Sequence, residues 1–312
     1  MKQVLLIGRN FHPDGKETVT QIAEGLKRVA SDTVTAHTVY LKDIVFYISN
    51  SNIKIWDSKS GKDLKDFDAV LMTNWFSHAS IRKDMALTLA LYFDHHRVPQ
   101  FNSEALHTRS TSKLSQMMLA ALNNISMPAT VFSLSFKTLI NAAKSGDVIA
   151  DLPVVLKDAQ ASRGNANYLL KSWEDAEPLK ADHTERHPFM AQEFIKSQDG
   201  DYRFFVTNGE TRFAIHRVGT DDTHLNNTSA GATTSICKSA EFSDDVLQAV
   251  STMSTVLHRE VTGLDIMLDE SGQYFFLEAN PIPQIATGSN IDLKLSALAE
   301  GLLEATKEGA SK

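Results

Sequence analysis

The 312-residue chain carries one cysteine, Cys237, and few long apolar runs. A single thiol excludes an intramolecular disulfide and leaves no thiolate cluster for a metal, usage that fits a reducing compartment. Positive charge is in deficit: 31 Lys and Arg face 38 Asp and Glu, giving a net charge of −7 and a pI near 5.9. No basic run rises above local pairs, which argues against nucleic acid or an anionic membrane as partner. The longest mostly apolar segment, Met85–Phe93, falls well short of a membrane span. The apolar stretch Val4–Ile7 is too short for a signal peptide and reads as a first buried strand. A soluble cytoplasmic protein is therefore expected. Three nucleotide and hydrolase signatures are also missing. The first strand-to-helix turn, Gly8-Arg9-Asn10-Phe11-His12-Pro13, lacks G-x-G-x-x-G, and neither G-x-x-x-x-G-K nor G-x-S-x-G occurs anywhere. Rossmann dehydrogenase, P-loop and serine hydrolase readings have no local support.

With 42% hydrophobic residues the chain can build two or three real cores. Strands are expected at 4–7, 33–39, 68–73 and 98–102, helices at 17–30 and 81–93, and a small hairpin at 43–56. That alternation indicates an open α/β layer with parallel pairing. After Asn102 the pattern changes. A helix over 112–122, with Leu114, Met117, Met118 and Ala121 on one face, precedes a strand at 129–132 and a helix at 136–143. Strands follow at 154–157, 168–170, 189–194, 202–206 and 211–217, with Asn208-Gly209 as a hairpin turn. A helix at 244–258, a hairpin at 263–280 and a last helix at 292–305 complete an α+β part.

The hairpin Gly263–Asn280 organises the rest. Asp265 interrupts its first strand and Glu278 its second, around the turn Asp269-Glu270-Ser271-Gly272. Glu278 and Asn280 are two apart, so an extended strand points both to one side. Antiparallel pairing can bring Asp265 beside them. Two carboxylates and an amide oxygen form a hard donor set suited to Mg²⁺ and poor for Zn²⁺, and Mg²⁺ held this way takes further oxygens from phosphates. The bland alternative is an acidic hairpin with solvated carboxylates. Elsewhere, the strand Pro153–Lys157 ends on a lysine and runs into a small polar loop containing Ser162 and Gly164. The lysine and the loop amides suit phosphate oxygens; a solvated lysine is the competing reading. His183 and His187 lack the H-E-x-x-H order, and a surface loop is the better reading there. His95-His96 reads as a helix-end pair, and Trp56, Trp75 and Trp173 as packing residues.

Taken in order, these pieces resemble the ATP-grasp superfamily, and within it the RimK-like branch of ribosomal-protein glutamate ligases and their relatives. The likeness rests on Thr111-Ser112-Lys113 with Met127-Pro128-Ala129-Thr130, on Pro153–Lys157, on Gln192-Glu193-Phe194-Ile195 and on Gly200-Asp201-Tyr202-Arg203. Arg217 followed ten positions later by Asn227, and Glu278-Ala279-Asn280, complete it. The resemblance implies an ATP-grasp fold of three units: an N-terminal α/β domain (1–102), a central lid (103–190) and a C-terminal domain with the metal site (191–312). It implies that Lys113 and Lys157 bind ATP phosphates, together with Ser162 and Gly164 in the loop. Gln192, Glu193, Phe194 and Ile195 line the adenine pocket, and Asp201 accepts from the ribose. Arg217 stabilises the transferring γ-phosphoryl group, as a catalytic residue with Lys157, and Asn227 helps hold phosphate or Mg²⁺. Asp265, Glu278 and Asn280 hold two Mg²⁺ ions, for which Mn²⁺ can substitute. The implied activity is carboxylate–amine ligation through an acyl phosphate, on small-molecule or peptide substrates, in a chain whose relatives are often oligomeric. Two rivals come from the same fold: a nucleotide-binding regulator without turnover, and a kinase. The sequence departs from the family pattern at Ala161 and Ala166 in the lysine loop and at Ala230 and Ala232 in the asparagine loop, where glycine or arginine is usual.

Overall fold

The computed structural model describes residues 1–8, 19–50, 52–73, 80–107, 112–146, 149, 152–159, 167–185, 187–197, 199–219 and 233–309. The first strand, β1 (Lys2–Gly8), is completely buried from Val4 to Ile7. Helix α1 (Val19–Ala30) turns Val19, Ile22 and Leu26 inward at the expected spacing. β2 (Val34–Tyr40), the hairpin β3 (Ile44–Ser49) and β4 (Asn52–Asp57), β5 (Ala69–Met72), α2 (Ser80–His95) and β6 (Gln100–Phe101) follow. Strands β2, β1, β5 and β6 form one sheet in that order, parallel throughout. The strand expected over 98–102 is only two residues long, because the chain leaves the sheet at Asn102 to meet the C-terminal part.

Helix α3 (Lys113–Leu122) is N-capped by Ser112, whose side chain accepts from the Ser115 amide. Its buried stripe is Gln116, Met117 and Ala120, whereas Met118 is 61% exposed. The face expected from Leu114, Met117, Met118 and Ala121 is thus rotated, because a glutamine occupies the inward side. β7 (Thr130–Phe132), α4 (Phe136–Lys144), β8 (Val154–Asp158), β9 (Asn167–Leu170) and β10 (Phe189–Glu193) form the middle layer. Its antiparallel sheet has the order β7-β10-β8-β9. Val154, Leu156, Phe189 and Ala191 pack against Leu139, Ile140 and Ala143 of α4. Alternation then sends Lys157 to the other side, where its strand partner Met190 joins a core containing Met117 of α3.

The third layer comprises β11 (Asp201–Thr207), β12 (Glu210–Val218), β13 (Thr233–Cys237), α5 (Asp244–Val256), β14 (Val261–Leu268), β15 (Tyr274–Asn280) and α6 (Ile291–Gly309). The antiparallel sheet runs β13-β12-β11-β14-β15. Asn208 and Gly209 both take positive φ, 50° and 77°, as a two-residue hairpin turn requires. Helix α5 stops at Val256, short of the expected 258, since His258 has a φ of 51°. One sheet face packs on α5 and α3. Part of the other packs on α1, β1 and α6 through Phe205, Phe213, Ile215, Leu295 and Leu298. Burying each such side chain contributes about 1.5–3 kcal/mol. The first and third layers therefore share a core.

Candidate active site

The end of the third sheet that this shared core leaves uncovered carries a row of charges. Asp201 on β11 pairs with Arg217 on β12, Arg203 on β11 with Asp265 on β14, and Asp265 with Glu278 on β15. Register partners share a face, so four adjacent strands present five ionic side chains together. A bulge in the β14–β15 pairing makes this possible. Ile266 pairs with Phe276, but Asp265 pairs with Glu278, leaving Leu277 as the extra residue. Phe276 therefore enters the core beneath the sheet while Glu278, two residues on, turns to the charged face with Asn280. Strict alternation would have put Phe276 and Glu278 on one side. Gly200 is required just before Asp201. It has a φ of +103°, and a Cβ there would lie 2.1 Å from the Arg217 carbonyl oxygen.

The charges are closely paired. Arg203 grips Asp265 with two bonds of 2.7 Å. Arg217 donates from Nε to Asp201 at 2.6 Å, and its Nη2 lies 3.1 Å from Asp265. Burial alone would raise the Asp265 carboxyl, but Arg203 and Arg217 hold it below the ordinary carboxylate range. Burial pushes Asp201 up despite Arg217, with Asp265 adding to the rise. Desolvation works against the Arg217 guanidinium, yet Asp265 and Asp201 keep its pKa above the ordinary value. Arg217 is 2% exposed, so its guanidinium is buried and its charge is met by Asp201 and Asp265 on the sheet face.

Two lysines come from outside the sheet. Lys113, at the first turn of α3, places Nζ 3.7 Å from Glu278. Lys157 is within electrostatic reach of Glu278, Lys113, Asp201 and Asp265; burial lowers its pKa to about 8, with Glu278 opposing and Lys113 reinforcing the drop. Four cations (Lys113, Lys157, Arg203, Arg217) face three carboxylates (Asp201, Asp265, Glu278), an excess that suits a polyanion.

Gln192, Glu193, Phe194 and Ile195 run from β10 toward β11, between the two sheets. Gln192 is buried with its amide nitrogen on Thr130 Oγ1 at 2.8 Å, Glu193 is exposed and its backbone pairs with Ala129, and Ile195 is buried. Ser162, Gly164 and Asn227, and the alanines 161, 166, 230 and 232, lie outside the described residues. His183 and His187 diverge: one bonds the Phe189 amide, the other lies 3.0 Å from Asp158. Sequence reasoning gave no role to Arg203 or Gln116. A regular strand pattern offers no signal for the first beyond its charge, and the second shows only as a polar residue between apolar helix positions.

The donors fit a divalent hard cation. Asp265, Glu278 and Asn280 supply only oxygens, and the three arginine contacts on Asp265 leave one of its roughly four lone-pair sites. Asn280 uses its nitrogen on Glu278 at 3.1 Å, so its carbonyl oxygen is the atom for a cation. Three protein oxygens are fewer than a Mg²⁺ ion takes, a shortfall that phosphate oxygens and water can make up.

A model of the RimK-like ATP-grasp domain matches residues 110–302. The probable alpha-L-glutamate ligase of Shewanella halifaxensis is 28% identical over 244 residues, 75% of this chain and 50% of that protein. This chain therefore spans about half the length of that relative. The alpha-aminoadipate–LysW ligase LysX of Sulfurisphaera tokodaii is 24% identical over 258 residues, covering 80% of this chain and 82% of that one. Among solved structures, the ATP-grasp ligase PsnB complexed with a phosphomimetic variant of its minimal precursor, Mg and ADP superimposes with a TM-score of 0.69. That match is 17% identical and covers 97% of this chain and 98% of the other. With the matching model spanning more than half of its length, the chain belongs to the RimK-like ATP-grasp family.

Proposed function

We propose that this protein is an ATP- and Mg²⁺-dependent carboxylate–amine ligase acting on an amino acid or peptide carboxylate. The observation that carries the reading is the convergence of Lys113, Lys157, Arg203 and Arg217 on the Asp265–Glu278–Asn280 face. Phosphoryl transfer needs positioning and charge neutralisation more than a protein nucleophile. Lys113 and Lys157 bind the phosphate oxygens, and Lys157 also reaches toward the adenine side of the cleft. Arg217 faces the transferring group, with Asp201 and Asp265 holding its guanidinium in place. Asp265, Glu278 and Asn280 would hold the two Mg²⁺ ions, or Mn²⁺ in their place, through their side-chain oxygens. Bound there, the ions neutralise developing charge on the phosphoryl oxygens. The substrate carboxylate takes the γ-phosphoryl group as ADP leaves. The amine then attacks the acyl carbon, loses a proton and expels phosphate. Segment 192–195 borders the adenosine, at the junction of a lid (103–190) and a C-terminal unit (191–312).

The test is an ADP-release screen with amino acids and peptides, singly and in pairs, followed by hydroxylamine in place of the amine. A hydroxamate should form alongside ADP, and Glu278→Gln should suppress both by at least about a hundredfold while the chain stays folded. ADP with a stable phosphate ester and no hydroxamate would make the protein a kinase. ATP binding without ADP release would make it a regulator.

A further inference from the structure

β15 is an edge strand, so one row of its backbone groups faces no neighbouring strand. At Ala279, between Glu278 and Asn280, both outward groups are nonetheless bonded. The N–H donates to Gln116 Oε1 at 2.7 Å, and the carbonyl accepts from Gln116 Nε2 at 3.2 Å and from Arg259 Nη1 at 2.5 Å. A carboxamide offers one acceptor and one donor side by side, so Gln116 stands in for the peptide group of a sixth strand at this single residue. Gln116 is 3% exposed and Arg259 1%, and Arg259 is anchored in turn by Glu104 at 2.7 Å. Gln116 also lies one turn along α3 from Lys113, which reaches Glu278. The helix that brings a cation to Glu278 thus grips the next residue of the same strand.

We infer that Gln116 is a positioning residue: by bonding both backbone groups of Ala279 it fixes the strand face from which Glu278 and Asn280 offer their oxygens to the divalent cation. The inference rests on the ligase reading above. Mg²⁺ demands near-ideal octahedral geometry, so a few tenths of an ångström in an edge strand matter to it. Glu278 and Asn280 flank the gripped residue on either side, so any twist at Ala279 displaces both ligands at once.

The experiment uses the full chain and Mn²⁺ as the metal probe. Mn²⁺ binding is read by electron paramagnetic resonance in the presence of ADP, and metal-free ADP binding by calorimetry in EDTA. Gln116→Met keeps the side-chain length and removes both bonds. Loss of such outer partners typically costs 10–100-fold in metal affinity, so Mn²⁺ should bind about 10–100-fold more weakly while metal-free ADP affinity shifts less than about threefold. Gln116→Glu keeps the bond from the Ala279 N–H but sets a carboxylate oxygen against the Ala279 carbonyl. It should weaken Mn²⁺ in the same direction, and it supplies the measurement if Gln116→Met does not fold. Unchanged Mn²⁺ affinity, or an equal loss of metal-free ADP affinity, overturns the positioning role alone. Failure of the wild-type chain to bind Mn²⁺ with ADP overturns the ligase reading and this inference with it.

Discussion

At the scale of single residues, Lys157 has the least settled charge in the site. It is the last residue but one of β8, and burial brings its pKa down to about 8 although Glu278, Asp201 and Asp265 pull the other way. Phosphate oxygens next to it favour the ammonium form. Nucleotide binding should therefore take up a proton where the free chain is partly deprotonated. At pH 8 about half a proton should be taken up, and ATP should bind about tenfold more weakly at pH 9 than at pH 7. Calorimetry in buffers of different ionisation enthalpy checks the uptake. Lys157→Met should abolish it and weaken binding at every pH. An unchanged proton count in that variant would place the titration elsewhere and return Lys157 to a solvated lysine. Arg217 behaves differently, because two carboxylates fix its charge and its loss would leave Asp201 buried without its partner.

At the scale of elements, α3 separates what the sequence discloses from what it hides. Its position and its Ser112 cap follow from ordinary helix rules, and Lys113 could be named from the order of motifs. The buried face could not, since Gln116 counts as polar in any periodicity and is inside only because β15 lacks a neighbour. Met117 at 2% exposure and Met118 at 61% make this measurable. Met117→Ala should cost roughly 2–5 kcal/mol and Met118→Ala less than about 0.5 kcal/mol, read from urea denaturation midpoints. Comparable costs would mean the helix faces the way its pattern suggests. The same limit applies to β15. Glu278 and Asn280 are legible as a same-side pair of oxygen donors because they are two apart. The bulge that divides Phe276 from Glu278 leaves no mark in the sequence, being set by pairing with β14. β13 was not expected either: Thr233–Cys237 is a largely exposed edge strand without apolar alternation. Asp201 shows a further gap, since its motif suggests ribose contact while its carboxylate lies buried on Arg217.

At the scale of the whole molecule, the segment leaving β6 ties the first layer to the β14–β15 hairpin. Asn102 accepts from the Val261 amide at 2.7 Å and donates to the Pro281 carbonyl at 2.8 Å, bridging the start of β14 and the end of β15. Ser103 donates from backbone and side chain to Glu260, and Glu104 pairs with Arg259. Burial raises Glu260 to about 7, with the two Ser103 bonds lowering it and Glu104 pushing it higher. The folded-state pKa thus lies above the unfolded value near 4.5. Between those values the folded chain holds the proton and the unfolded chain does not, so this group's contribution to stability falls as pH rises through the window and is lowest above 7. A shift of this size corresponds to about 3 kcal/mol over the whole window. Glu260→Gln keeps an acceptor for the Ser103 amide and a donor toward its hydroxyl, and removes the titration. Wild type should therefore lose stability relative to Glu260→Gln by about 2 kcal/mol on going from pH 5 to pH 8, measured by urea unfolding at both. A difference between the two chains that does not change with pH would show that Glu260 stays ionised at the junction, with its two Ser103 bonds outweighing its burial.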